Sequence, residues 1–461
     1  MITEFRLTDA ALAFGGTLLN PDCGFSQVSI DSRNCADGDL FIAVKGEHFD
    51  GHHFLGDVAT KVSGLVVSHP DKDLPIPQWV VDDTSQALGQ LAQMNRDKFQ
   101  GQLIAITGSS GKTSVKEMVT AIHSQNAVVH ATVGNLNNHI GVPLTLLSLD
   151  ASAEFAVIEM GASGAGEIAY LCNIAKPDVV LVNNIQHAHI EGFGSIEGVA
   201  SAKSEIYSGL GAEGTAVINL DLSWSQQWQT SLANQRCINF SVTRADADVY
   251  ADNIRTLDTG CCVFELCADG VRLPITLPIP GLHSVNNAVA AAACALASGI
   301  GLEQIAKGLA AVKPVSGRLH SYQLRDDITL IDDTYNANPD SFKAAIDVLS
   351  CAKGRKVLVM GDMAELGDKA MQMHEEIGGY AQEKGIDALH SVGLLSAIAA
   401  NKFGGTHHDD KIQLVSAVAD ILAKKTKTTI LIKGSRSSGM DDVVNTLSND
   451  VVNTLSNKEI N

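Results

Sequence analysis

The sequence predicts an α/β protein of three domains. Three observations carry this. The chain has 461 residues, and at roughly 100–200 residues per domain that is room for two to four. Apolar strand-like runs alternate with helical stretches in two separate blocks, the pattern of parallel sheets covered by helices. A shorter segment precedes them, closed by Leu74-Pro75-Ile76-Pro77, and Pro314-Val315-Ser316-Gly317 parts the two blocks. Such Pro/Gly clusters punctuate chains. The expected domains are 1–83, 84–314 and 315–461.

The first segment holds the short runs VSIDS, DLFIAV, GLVVS and QWVV with turn residues between them, a small α/β domain. The second opens with a helix-like stretch near Thr84–Phe99, followed by the strand Gln102–Thr107. FAVIEM, DVVLVNN and GTAVINL are continuously apolar, as strands covered on both faces are. From Val249 to Ile279 the pattern turns antiparallel (CCVFEL, VRLPITLPI), and a helix is expected over Val285–Ser298. In the third segment ITLIDD, a helix from Asp340, KVLVMGD, a helix from Met371, ALHSVG, another helix and TTILIKG follow in turn. That order predicts a small doubly wound, Rossmann-like domain. At the end VVNTLSN occurs twice, at Val443–Asn449 and Val451–Asn457, and no function is read from it.

Composition narrows the class. With 45% hydrophobic and 18% charged residues, the chain is ordinary for a folded soluble protein. A formal net charge of −19 disfavours nucleic acid and anionic membrane surfaces as partners, since both call for a basic footprint. An anionic nucleotide would have to be met by local devices: a phosphate loop, a metal ion, a few placed cations. Nine scattered cysteines without a CxxC pair read as reduced thiols of a cytoplasmic protein. The N-terminus has acids early and no basic lead into an apolar run, so no signal peptide is expected. Ala288–Ala297 is apolar but short, a packed helix and not a span.

Thr107-Gly108-Ser109-Ser110-Gly111-Lys112-Thr113 follows a strand and opens a helix with apolar Val115, Met118, Val119 and Ile122. In that context glycines let backbone N–H groups curl round phosphate oxygens, and the helix start adds positive potential. Lys112 would reach the β/γ-phosphates and Thr113 would face Mg²⁺. Ile106 stands where a full G-x-x-x-x-G-K-[ST] string has its first glycine, and the alternative is a Gly-Ser turn before a helix. The central domain is therefore expected to be of the phosphate-loop ATPase type.

Glu159 ends the apolar strand FAVIEM. A carboxylate there needs a cation, which is Mg²⁺ in a phosphate-loop domain or a basic side chain in a salt-bridged strand end. His187 and His189 close another buried strand. Mg²⁺ prefers oxygen, so by chemistry alone these read as polar strand-end residues. Lys203 sits in a helical run, where a surface lysine is the default.

Taken in order, these strings resemble the Mur ligase family along all three segments. They are IDSR, KGEHFDGH, TGSSGKTSVKEM, GNLNNHIGVP, VIEMGA, AHIEGFGS, the GxH…NA string at Gly281–Ala288, GRLH, DDTYNANPDS, VMGDMAELG and IKGSRS. The resemblance implies that Thr107, Gly108, Ser109, Ser110, Gly111, Lys112 and Thr113 hold ATP. Asn287 would contact adenine, Arg318 the γ-phosphate and Asp333 the ribose. Thr113, Glu159 and His189 would bind magnesium, with two ions expected. Lys203 resembles the lysine the family carbamoylates with CO2, which turns a cation into an oxygen ligand. Ser32, Arg33, Lys45 and Gly46 match the region gripping the UDP of the substrate. Asn135, Asn137 and Asn138 match a loop facing the muramoyl-peptide, with turn-forming asparagine the alternative. Ser284 stands where the family has asparagine.

Within the family, GDMAELG at Gly361–Gly367 and Tyr335-Asn336-Ala337-Asn338 resemble the member that adds D-alanyl-D-alanine to a UDP-muramoyl-tripeptide. No DNPR string of the diamino-acid-adding members is present. The implied reaction is ATP-dependent amide formation through an acyl phosphate. Lys112, Lys203, His189 and Arg318 are the implied catalytic groups, the partners small molecules alone, and the protein a monomer. Two other readings stay open: a related ligase, either diamino-acid-adding or folylpolyglutamate-forming, and a phosphate-loop switch ATPase. IDSR argues for a UDP-sugar over a folate. A switch ATPase has no need of a third, nucleotide-touching domain.

Overall fold

The computed structural model describes residues 1–46, 49–187, 190–424 and 426–456, with side chains as far as residue 448. Three main sheets follow one another along the chain. The first has the strand order Thr17–Leu19, Gln78–Val80, Gly64–Val67, Asp39–Ile42, Gln27–Ser29. Its neighbours are parallel except at the Thr17–Leu19 edge. The period-two rule is visible in Asp39–Ile42. Leu40 and Ile42 join the core shared with the central domain, while Phe41 packs into a separate core with Val58, Leu65 and Val67.

The helix Thr84–Arg96 starts at Asp83, whose carboxylate accepts from the N–H groups of Ser85 and Gln86, a side-chain N-cap. It buries Ala87, Leu88, Leu91 and Ala92. The sequence pattern carried this helix three residues further, to Phe99.

The central sheet has nine strands in the order Val271–Pro280, Cys261–Ala268, Val249–Thr256, Arg236–Ser241, Thr215–Asn219, Val179–Val182, Gln102–Thr107, Phe155–Glu159, Val129–Ala131. All neighbours from Val249–Thr256 onward are parallel. The antiparallel part is the pair of hairpins over Val249–Pro280, as the alternation there predicts. Lys112–His123 and Leu282–Ala297 cover one face. The expected Val285–Ser298 helix begins three residues earlier, at Leu282. Its Ala288–Ala295 stretch is wholly buried. No helix among the described residues is long and apolar enough to cross a membrane.

The third sheet runs His320–Arg325, Ile328–Asp333, Thr428–Lys433, Arg355–Met360, Ala388–Val392, Thr406–His408. It is parallel apart from its first hairpin. Ile328–Asp333 and Thr428–Lys433 lie side by side, so Asp333 and Lys433 end at one sheet edge. Ligands of such sheets sit at the carboxyl ends of strands. The first copy of the duplicated tail lies in the helix Asp441–Ser456, with Val443, Val444 and Leu447 buried.

Candidate active site

Gln102–Thr107, Phe155–Glu159 and Val179–Val182 are parallel neighbours, so their carboxyl ends open on one side. The loop after the first carries Ser109 to Thr113, and the second ends on Glu159. A cavity of ≈ 640 Å³ lies there, walled by the central domain on one side and by Arg318, Asp333, Tyr335, Asn338 and Lys433 of the third on the other.

The phosphate loop has the conformation its glycines permit. Gly111 has φ 75°, which favours glycine, and a Cβ there would stand 2.6 Å from Asn287 Oδ1. Only glycine satisfies both limits. The loop is pinned by its neighbours: Ser110 N–H donates to Asn184 Oδ1 at 2.8 Å, and the Asn183 and Asn184 amides donate to Ser110 O. Lys112 Nζ donates to Gly108 O at 2.8 Å. Burial pushes the Lys112 ammonium below its usual range and nearby Arg318 adds to this, with Glu159 opposing. Thr107 is buried and its hydroxyl donates to Met160 O, so its side chain is spent on the scaffold.

Glu159 is 2% exposed. Its carboxylate accepts from the Thr113 hydroxyl at 2.7 Å and from the Asn137 amide at 2.8 Å. Both donors are neutral, and among the described residues no ion pair reaches Glu159. Thr113 Oγ1 and the carboxylate form an oxygen donor set of the kind hard cations take. Gln186 Oε1 lines the same cavity and is buried without a hydrogen-bond partner among the described residues. A donor or cation ligand would satisfy such acceptors, so the residues present fit a Mg²⁺–nucleotide. No group of three or more His, Cys, Asp or Glu able to hold a metal occurs among the described residues. His189 lies outside the described residues.

Lys203 is not the surface lysine that spacing suggests. It is 1% exposed, and its Nζ stands 5.6 Å from the Phe193 ring centroid. Burial, and secondarily Lys112, push its ammonium down to about 7, with Glu167 opposing. The thiols go the other way. Burial pushes Cys23 up to about 11 and Cys172 up to about 12, which keeps them in the unreactive thiol form.

Across the cleft, Arg318 Nη2 donates to Thr113 Oγ1 at 2.8 Å and its guanidinium lies 4.2 Å from the Tyr335 ring centroid. Asp333 accepts from Lys433 Nζ at 2.6 Å, and Lys433 also donates to Asn336 O at 3.0 Å. Asn287 is buried and accepts from Asn183. Ser284 turns its hydroxyl back onto Pro280 O at 2.7 Å.

Asn137 and Asn138 line the same cavity. Asn138 is also the turn former of the alternative reading, its Oδ1 accepting from Gly141 N at 2.8 Å. Asn135 is exposed and does not line the cavity. Ser32, Arg33, Lys45 and Gly46 lie apart from it in the first domain. There Arg33 pairs with Asp31 at 2.7 Å, and Gly46 N donates to Phe49 O.

Three domain families match the chain in sequence. They are the Mur ligase family catalytic domain over residues 25–96, the Mur ligase middle domain over 106–295, and the Mur ligase glutamate ligase domain over 317–436. The chain is also 43% identical over 448 residues to the UDP-N-acetylmuramoyl-tripeptide–D-alanyl-D-alanine ligase of Escherichia coli K12, covering 97% of this chain and 98% of the relative.

The chain belongs to the Mur ligase family.

Solved structures similar to this Mur ligase include MurF from Acinetobacter baumannii, with TM-score 0.92 and 35% identity over 97% of this chain and 99% of that one. The MurF ligase from Thermotoga maritima in complex with ADP matches with TM-score 0.81 and 26% identity over 93% and 98%.

Sequence reasoning missed Lys433, Asn183 and Asn184 in this Mur ligase. Lys433 carried the same signal as Glu159, a charge at the end of an apolar strand, TTILIK. The others gave no signal, because their roles are set by contacts between loops far apart in the chain.

Proposed function

We propose that this Mur ligase joins D-alanyl-D-alanine to UDP-N-acetylmuramoyl-tripeptide at the expense of ATP, completing the UDP-linked pentapeptide of peptidoglycan in the cytoplasm. The observation that carries a ligase reading is the contact of Arg318 with Thr113. A third domain delivers a cation onto the phosphate loop, which a switch ATPase does not need. The choice of dipeptide rests on the whole-length likeness to relatives bearing that name. We assign UDP-substrate binding to residues 1–83, ATP binding to 84–314 and the ligase domain to 315–461.

A free carboxylate is a poor acylating agent, because oxide would have to leave. The tripeptide carboxylate therefore attacks the γ-phosphorus of ATP, and ADP departs to leave an acyl phosphate. The dipeptide amine then attacks the acyl carbon, loses a proton, and inorganic phosphate leaves. The protein's share is alignment and charge neutralisation. Lys112 and Arg318 face the transferring group from opposite domains. Ser109, Ser110 and the loop N–H groups orient the phosphates, Asn287 borders the base, and Asp333 faces the ribose. Bound Mg²⁺ neutralises phosphate oxygens. Thr113 and Glu159 would hold one ion, and His189 with carbamoylated Lys203 a second. Burial of Lys203 favours the neutral amine, the form that adds CO2.

Ser32, Arg33, Lys45 and Gly46 are assigned to the UDP group, and Asn135, Asn137 and Asn138 to the muramoyl-peptide. We place the dipeptide in a second cavity of ≈ 380 Å³ next to the phosphate loop. Ser109, Asn338, Ser435, Arg436 and Ser437 are among its lining residues, and Arg436 is its cation for the terminal carboxylate.

The test is phosphate release with ATP, Mg²⁺ and UDP-muramoyl-tripeptide, with and without D-alanyl-D-alanine, and mass analysis of the product. Dipeptide-dependent release, with a product heavier by one dehydrated dipeptide, is expected. Release that ignores the dipeptide, or that requires a free diamino acid, overturns the reading.

A further inference from the structure

Asn338 opens the helix Pro339–Ser350 of the third domain and is the residue shared between two domains' needs. Its Oδ1 accepts from the backbone N–H of Ser341 at 2.8 Å, and the Ser341 hydroxyl accepts in return from Asn338 N at 3.0 Å, a reciprocal capping box. Pro339 at the first helical position completes the start. The orientation of the Asn338 amide follows from chemistry. A backbone N–H can only donate, so the atom facing Ser341 N is oxygen, and the nitrogen must point the other way. It points out of the third domain, and Nδ2 donates to Ser110 Oγ of the phosphate loop at 2.9 Å.

Ser110 is thereby held from both sides of the cleft. Its backbone N–H and C=O are bound by Asn183 and Asn184 of the central domain, and its hydroxyl, among the described residues, by the third domain alone. A hydroxyl that accepts from Asn338 keeps its own proton for donation. Asn338 is 8% exposed and lines both the nucleotide cleft and the smaller cavity beside it.

We propose that Asn338 is a positioning residue for phosphoryl transfer: it reports docking of the third domain to the phosphate loop and aims the Ser110 hydroxyl proton into the cleft. This deepens the ligase reading above and rests on it for the identity of the reaction, but not for the contact itself. Asn338 does not touch the reacting atoms in this role. It acts through Ser110, and only when the two domains are closed. The helix cap and the cross-domain bond use opposite ends of one amide, so they can be separated by substitution.

Serine and aspartate cap helices about as well as asparagine, but aspartate has no donor and the serine hydroxyl, one bond shorter and held at the cap, does not extend to Ser110. Asn338→Ser is therefore expected to melt within a degree or two of the parent and lose roughly 3–10-fold in kcat, the value of one neutral hydrogen bond. Asn338→Asp is expected to melt normally too and to lose more, on the order of 100-fold, because it turns a carboxylate toward the phosphates. Binding of a non-hydrolysable ATP analogue to Asn338→Ser should be unchanged, since the loop itself is intact.

Two measurements decide. Steady-state phosphate release gives kcat and KM for parent and variants. Small-angle scattering with the ATP analogue gives closure without any need of the dipeptide. Loss of kcat at unchanged melting temperature and analogue affinity, with weaker analogue-driven compaction, supports the proposal. Parent-like turnover and compaction in Asn338→Ser, or a drop in melting temperature that accounts for the lost activity, overturns it. If the parent itself ignores the dipeptide, the ligase reading falls, while the scattering comparison still decides the role of Asn338.

Discussion

Replacing Arg318 by lysine isolates geometry from charge. The guanidinium makes two contacts that an ammonium cannot reproduce together: the Nη2 bond to Thr113 Oγ1 at 2.8 Å and the stack 4.2 Å from the Tyr335 ring centroid. A hydrogen bond to a charged group contributes ~1.5–3 kcal/mol, and a cation–π contact ~0.5–2 kcal/mol. Lysine keeps the charge but is a flexible point donor. Losing most of both contacts costs about 2–4 kcal/mol of transition-state stabilisation, roughly 30–1000-fold in kcat. ATP affinity should change far less, because the phosphate loop belongs to the other domain. The assay is dipeptide-dependent phosphate release at saturating substrates, with a melting curve to show that Arg318→Lys is folded. A kcat within threefold of the parent would refute the argument that this side chain is aligned by its two contacts.

The remaining predictions concern the carboxylate, pH and the third-domain ion pair. Glu159→Gln keeps an acceptor for Thr113 but removes the charge of a nearly buried carboxylate, so the Mg²⁺ concentration for half-maximal activity should rise at least roughly tenfold; an unchanged Mg²⁺ titration contradicts the assignment. Burial lowers the pKa of His123, His283 and His374 from the ordinary 6.5. The unfolded chain then takes up protons below pH 6.5 that the folded one does not, so this stability is present above 6.5 and lost as pH falls, by up to ~1.4 kcal/mol per pH unit for each group. Melting temperatures flat from pH 7.5 to 5.5 would contradict it. Lys433→Met strands Asp333, which is paired at 2.6 Å with side-chain exposures of only 2% and 13%, and should cost about 3–5 kcal/mol; adding Asp333→Asn should recover part of the loss, and a double variant no more stable than the single one refutes the pairing argument.

Legibility in the sequence follows from how local the cause is. The apolar runs of the parallel strands are long because both faces are covered, so FAVIEM, DVVLVNN and TTILIKG could be read as strands without tertiary knowledge. The phosphate loop was readable because its glycines answer to local backbone geometry, as Gly111 shows. Short elements were not. The helix Leu7–Phe14 and the strands Thr17–Leu19 and Val129–Ala131 hold too few residues for a period to stand out. Lys203 misled the pattern for a related reason. Its helix, Ile196–Ser204, has little amphipathic character, and only its packing reveals that the lysine is interior. Asn338 was visible only as part of a string, because its second bond joins residues far apart in the chain and leaves no local trace.

The electrostatics of the cleft explain why an acidic chain would close on a polyanion. The net charge is −19, yet Lys112, Arg318 and Lys433 line one cavity. Among the described residues Arg318 has no ion pair. It is satisfied by a neutral hydroxyl and a ring, and its proximity helps push the Lys112 ammonium down. Closing the empty cleft therefore brings two cations together at a cost. An anion between them reverses the sign of that interaction. A ligand shifts an equilibrium only through its differential affinity for the two states, and here the difference has a named source: Lys112 belongs to one domain and Arg318 to the other. The triphosphate is thus the group with the largest reason to favour closure.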